Sequence, residues 1–244
     1  MAYELFYWPG IQGRGEFVRL ALEDAGAPYI DVAREKGKGQ GVAAMTKLLG
    51  SLSETQIPFA PPILRDGDIV VSHVANILSY VGPKLGLAPR EEKWRPFANG
   101  LQLTITDMVV EAHDTHHPIS NGLYFEDQKD AAKARASAFL SQRVPKFLGY
   151  FERVLTQNPA GPAYSVGDAP TYVDLSLFQL MEGLRYAFPR GTAEIGKQYP
   201  LLNALASSVR GRPGIAAYLS SPRRIPFNES GIFRHYPELD QDPG

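Results

Sequence analysis

The hydrophobic period of this chain changes once. Before residue 83, short β-type runs alternate with helical ones; after residue 92, only helical spacing remains. Tyr3-Glu4-Leu5-Phe6-Tyr7-Trp8, stopped by Pro9-Gly10, predicts a strand. Glu16 to Ala25 reads as a helix closed at Gly26, and Tyr29 to Val32 as a second strand. Residues 33 to 61 are glycine-rich, then proline-rich, and carry no clear period. From Pro62 to Val71, two apolar runs flank an Asp66-Gly67 turn, predicting a hairpin, and Val74 to Tyr80 follows as a helix ended by Gly82-Pro83. Helices are then predicted over Trp94–His116, over Lys129–Leu155 as one long helix or a pair, and over Pro200–Val209 and Pro213–Leu219. Another, through Tyr186, opens on the capping box Thr171-Tyr172-Val173-Asp174, with Val166 placed as a staple. The chain thus divides into a small α/β unit (1–83), a link (84–92), an all-helical unit (93–225) and a proline-rich tail (226–244) expected to be irregular. No internal repeat is visible.

Two small domains suit 244 residues better than one core. Charged residues are 21% and the net charge is -1; the longest basic cluster is Arg223-Arg224. A nucleic-acid partner needs clustered positive charge, which is missing. There is no Cys, so a disulfide scaffold and a thiolate zinc site are excluded, and any thiol chemistry must use a thiol brought by a ligand. MAYELFYWPG lacks the basic start and apolar run of a secretion signal, and no apolar run approaches the roughly 18 residues of a membrane span. The expected location is cytoplasmic.

Three of the five histidines fall in Glu111-Ala112-His113-Asp114-Thr115-His116-His117-Pro118. They are open to three readings: a metal site, a pocket wall or a solvated helix end. His113 and His117 share a face if the helix persists, although Pro118 disfavours helical geometry at His117. On an ideal helix His116 and Asp114 point elsewhere, and a metal needs at least a third ligand, preferably remote in sequence.

Several stretches in order carry a family resemblance: Leu5-Phe6-Tyr7-Trp8-Pro9 followed by Gly13-Arg14-Gly15; Pro62-Ile63-Leu64 before Asp66-Gly67-Asp68; Ile77-Leu78-Ser79-Tyr80-Val81-Gly82; Gly167-Asp168 with Thr171 and Asp174; Tyr199-Pro200-Leu201-Leu202; and Arg212-Pro213. Each is weak alone. Together they resemble the cytosolic glutathione S-transferases of the tyrosine type, similar to the pi, mu and sigma classes, over nearly the whole chain. The resemblance implies an α/β thioredoxin-like N-terminal domain, an all-α C-terminal domain, a homodimer, glutathione as co-substrate and no metal.

The chemistry it implies needs a thiolate, whereas a free thiol with a pKa of about 8.5 is only a few per cent ionised near neutrality. Tyr7 matches the catalytic tyrosine whose hydroxyl donates to the sulfur; read without the family, it is a core strand tyrosine. Trp8 and Arg14 match residues beside glutathione. The cis-proline loop falls on Pro61 and Pro62. If Pro62 is the cis residue, Pro61 precedes it and has no N–H to offer the peptide; if Pro61 is, Ala60 makes both bonds. Where the family has Gln-Ser for the γ-glutamyl carboxylate, this chain has His73-Val74: a ring donor, and a helix-start N–H without a hydroxyl. Asp107 matches an aspartate reaching across the dimer to the glutathione amino group. Ile11, His113 and His117 match the pocket for a small hydrophobic electrophile, more polar here than in the pi class. The activity implied is glutathione conjugation, a detoxification chemistry. A peroxidase or lyase on the same site, and a non-catalytic carrier of hydrophobic ligands or structural protein on the same fold, are the alternatives.

Overall fold

The computed structural model describes residues 2–240. β1 (Tyr3–Phe6) ends earlier than the predicted strand, leaving Tyr7 and Trp8 in the loop that leads to Pro9. It pairs in parallel with β2 (Tyr29–Asp31), matching Leu5 to Asp31, and antiparallel with β3 (Ile63–Asp66), matching Leu5 to Leu64. β3 turns into β4 (Ile69–Ser72) through a two-residue loop, giving the order β2-β1-β3-β4. The loop is Gly67-Asp68, one position on from the predicted Asp66-Gly67; Gly67 holds φ 61°, the left-handed conformation that a side chain would resist.

Alternate residues of the sheet pack on opposite faces. Leu5, Leu64 and Val71 meet Val18 and Leu22 of α1 (Gly15–Asp24) and Ile77 and Val81 of α3 (Val74–Val81). Phe6 and Ile63 meet Met45 and Leu48 of α2 (Val42–Leu49). α2 lies in the stretch without a predicted element. It buries only Met45 and Leu48, and eight residues, most of them apolar, are too short a window to reveal a period. This is the thioredoxin-like arrangement the resemblance implied.

Among the described residues no strand follows β4. α4 (Arg95–Asp114), α5 (Lys129–Ala138), α6 (Val144–Thr156), α7 (Tyr172–Ala187), α8 (Pro189–Lys197), α9 (Pro200–Arg210) and α10 (Pro213–Leu219) form the helical unit. The stretch predicted as one helix or a pair is a pair, α5 and α6, joined by a π-helical turn at Phe139–Arg143. Pro145 has no N–H for the carbonyl of residue 141, which explains the wider turn. α8 went unpredicted because it holds two glycines and buries only Gly191, Thr192 and Ile195.

α7 is the buried axis. Its capping box forms as expected: the Asp174 carboxylate accepts from the N–H of Ser165 and of Thr171, each at 2.7 Å, and Thr171 Oγ1 accepts from the Val173 N–H. The main core runs across both units, joining Phe17, Leu20, Val74 and Leu78 to Leu101, Ile105, Phe178 and Met181. The tail from Pro226 is irregular as far as it is described, with Ile232, Phe233 and Leu239 buried; its last four residues lie outside the described part. Among the described residues no helix is long and apolar enough to cross a membrane.

Candidate active site

Tyr7 sits where β1 gives way to a loop, and the next turn of chain folds back over its ring. The backbone N–H of Arg14 donates to the Tyr7 hydroxyl at 2.8 Å. The two glycines beside Arg14 make this approach possible. A Cβ on Gly13 would stand 2.1 Å from the hydroxyl oxygen, and one on Gly15 would stand 2.5 Å from a ring carbon. Gly-Arg-Gly is therefore a steric requirement of the tyrosine it encloses.

That hydrogen bond fixes what the phenol can do. Its oxygen accepts from Arg14, so its own O–H is left to donate. Burial pushes the Tyr7 hydroxyl above its ordinary pKa of 10.0, while the Arg14 N–H and the charges of Arg14 and Arg19 pull the other way and do not win. Tyr7 thus stays a neutral donor at neutral pH.

Arg14 and Val74 line a small cavity of about 10 Å³ with Phe17, Gln102, Ile105, Thr106 and Val109, between α1, α3 and α4. The two predicted glutathione-binding segments are also tied together, because the His73 N–H donates to the Pro62 carbonyl at 3.3 Å. The cis bond is Pro61-Pro62, so Pro61 precedes the cis residue and presents a carbonyl but no N–H. His73 is exposed and holds φ 72°, the one positive φ at a non-glycine among the described residues; such outliers cluster at ligand-binding positions. Val74 begins α3, whose first N–H groups have no helical partner. Trp8 is 43% exposed, and Ile11 is half-buried.

The three histidines form one stack at the end of α4. The rings of His113 and His117 stack with centroids 4.9 Å apart, and His116 meets both edgewise at 5.1 and 4.8 Å. His116 does not point elsewhere as the ideal helix predicted. α4 ends at Asp114, and the turn that follows swings the ring inward. His116 Nε2 lies 2.8 Å from the Ile232 carbonyl, so Nε2 carries the proton and the buried Nδ1 is left without a partner. Burial lowers its pKa to about 3. Burial also lowers His113, against the raising hydrogen bond with Asp114. Among the described residues no group of side chains is arranged to hold a metal ion.

Of the residues singled out in the sequence, Tyr7 and Arg14 meet directly, Pro62 meets His73, and His113 meets His117. Asp107 does not join them within one chain; it stands exposed on α4 in a strip with Leu103 and Val110. Sequence reasoning missed Gln12, Gln102 and Gln179. All three are buried polar residues, and nothing in their local pattern separates them from surface glutamines.

Residues 113–222 match the family model described as glutathione S-transferase, C-terminal domain. A glutathione S-transferase of Plasmodium falciparum (isolate 3D7) is 27% identical over 223 residues, covering 89% of this chain and 95% of that protein. Glutathione S-transferase P of Bos taurus is 27% identical over 231 residues, covering 94% and 98%. Among solved structures, a pi-class glutathione S-transferase of Onchocerca volvulus shares the fold with a TM-score of 0.71, at 22% identity, covering 95% of this chain and 99% of that one. With the sheet order, the enclosed tyrosine and the helical capping box, these likenesses point one way: residues 113–222 match a glutathione S-transferase C-terminal domain, and the chain is similar over nearly its whole length to glutathione S-transferases.

Proposed function

We propose that this protein is a glutathione transferase that binds glutathione at the end of β1, ionises its thiol through Tyr7, and joins the sulfur to a hydrophobic electrophile. The carrying observation is the Arg14 N–H donated to the Tyr7 oxygen, which leaves one phenolic O–H to donate to a sulfur anion. The thiol proton leaves to solvent, the thiolate stays hydrogen-bonded to Tyr7, and the sulfur lone pair bonds to the electrophilic carbon as that carbon's leaving group departs as an anion or, at an activated double bond, as the π pair shifts onto the electrophile and takes up a proton from solvent.

The rest of the site is assigned in the same reading. Trp8 and Arg14 flank the peptide, the Pro61 carbonyl meets the cysteinyl N–H, and His73 with the free N–H groups of α3 receives the γ-glutamyl carboxylate. The unit at 1–83 holds glutathione and the unit at 93–225 supplies the electrophile wall, with Ile11, His113 and His117 facing the sulfur. Glutathione is the co-substrate and no metal takes part. The protein works as a cytoplasmic homodimer. Exposed Phe97, Leu103 and Val110 on α4 support this, and Asp107, on the strip with Leu103 and Val110, is assigned to a partner's glutathione.

The test is a glutathione titration followed by the ultraviolet band of the bound thiolate, on the native protein and on Tyr7→Phe. We expect a saturable band at neutral pH, its loss in the variant, and about a 100-fold fall in turnover of a model electrophile. No band at millimolar glutathione would mean that Pro61 and Val74 have cost the site its ligand, leaving a carrier of hydrophobic molecules.

A further inference from the structure

A buried circuit of polar groups lies directly behind the Tyr7 loop. Arg19 Nη1 donates to the Gln12 carbonyl at 3.3 Å. The Gln12 side-chain oxygen accepts from Gln179 Nε2 at 2.8 Å. Gln179 Oε1 accepts from Arg224 Nη2 at 3.2 Å. Arg224 then pairs with Glu16, and Glu16 closes on Arg19 at 3.3 Å. Gln12, Glu16, Arg19 and Gln179 are all buried, and the Arg224 side chain is only 11% exposed.

Four parts of the chain meet in this circuit: the first loop, α1, α7 and the segment at Arg224 just before the tail. The segment running from Arg224 into the tail grips the same loop at two further points. Gln12 Nε2 donates to the Ile225 carbonyl at 2.5 Å, and Asn228 Nδ2 donates to the Gly10 carbonyl at 2.9 Å. A few residues on, the Ile232 carbonyl accepts from His116. The loop so held, from Gly10 to Gly15, supplies the Arg14 N–H that orients the Tyr7 hydroxyl. Only Gly13 lies between Gln12 and Arg14, and a loop this short transmits a displacement of one to the other.

We infer that the segment Arg224–Asn228 is a clasp whose positioning residues, Arg224, Gln179 and Gln12, fix the Arg14 N–H against Tyr7 and thereby set how far bound glutathione is ionised. This inference rests on the thiolate reading above. The physical ground is that a hydrogen bond weakens steeply with misalignment, so a sub-ångström drift of the loop changes the donor strength of the phenol without removing any group that touches glutathione.

The experiment measures the thiolate band of bound glutathione against pH, with no electrophile present, in the native protein, Tyr7→Phe, Arg224→Gln and Asn228→Ala. Arg224→Gln is expected to raise the ionisation midpoint by about one pH unit, a tenfold loss of thiolate below the midpoint, while the glutathione concentration for half-saturation stays near native. Asn228→Ala should shift it in the same direction by less, and it decides the matter if Arg224→Gln does not fold. A folded Arg224→Gln, or failing that Asn228→Ala, with the native midpoint overturns the clasp and leaves the circuit a structural tie. A native protein without the band, or Tyr7→Phe retaining it, overturns the thiolate reading itself, and the clasp with it.

Discussion

The two sides of the candidate site are made differently. At the end of β1 the working group is held by backbone: an N–H on the Tyr7 oxygen and two glycines against its ring. At the end of α4 the wall is made of side chains, three imidazoles in mutual contact, with His116 tied to the tail by the Ile232 carbonyl and by the Tyr236 ring. The first construction tolerates almost no substitution, because a Cβ has nowhere to go. The second can change residue by residue and keep its shape. A site built this way keeps one fixed chemistry and leaves the choice of electrophile free to vary.

The sharpest way to break this contrast is Gly15→Ala. Its Cβ would meet the Tyr7 ring, so we expect turnover to fall at least about 100-fold and stability to drop by about 1–3 kcal/mol, read by steady-state kinetics and chemical denaturation. Near-native turnover would mean that the ring has room that the structure denies.

The next effect is a pH dependence. His116 has a folded pKa near 3 against an ordinary 6.5, so below pH 6.5 the unfolded chain binds a proton that the folded chain refuses. Stability is therefore full above about pH 6.5 and falls as pH drops from 6.5 toward 3, at up to about 1.4 kcal/mol per unit. His116→Gln keeps an N–H for the Ile232 carbonyl and removes the titration. Urea midpoints at pH 7 and pH 5 should converge in that variant, and an unchanged gap would place the acid sensitivity elsewhere.

On the tolerant side, His113→Phe should leave the glutathione KM and the thiolate band near native while changing the relative kcat/KM of apolar and polar electrophiles by about tenfold, roughly the worth of one altered pocket contact. A loss of the band would show that the histidine wall shares in thiol ionisation. The smallest effect is expected at His73. Glycine relieves its φ of 72°, so His73→Gly should match or slightly raise the melting temperature while the glutathione KM rises several-fold; an unchanged KM would remove the imidazole from the carboxylate subsite.

The same contrast explains what could be read in advance. The hairpin and the Thr171–Asp174 box were legible because each is a local rule, a turn or a cap; Tyr7 and the Gly13-Arg14-Gly15 loop were singled out only through the family resemblance. α2 and α8 were not: α2 is mostly apolar but only eight residues long, and α8 is short, glycine-containing and buries only Gly191, Thr192 and Ile195. His116 was misdirected by extending an ideal helix past its actual end at Asp114. Glu16 and Arg19 are three apart on a predicted helix, which announces an ion pair but not its burial. Gln12, Gln179 and Arg224 carried no signal, since 167 residues separate the first two and 45 the last two.

By itself, the sequence determined the order of strands and helices, the change from a mixed unit to a helical one, the absence of a cysteine, and the residue types at the strand-end turn. These depend on interactions between near neighbours, which leave a period or a spacing behind. Only the tertiary structure decided that Pro61-Pro62 is the cis bond, that His116 faces the other two histidines, and that the segment running from Arg224 into the tail grips the loop beneath Tyr7. Those outcomes depend on which distant segments share a wall, and burial in a common core is a property of the whole chain rather than of any stretch of it.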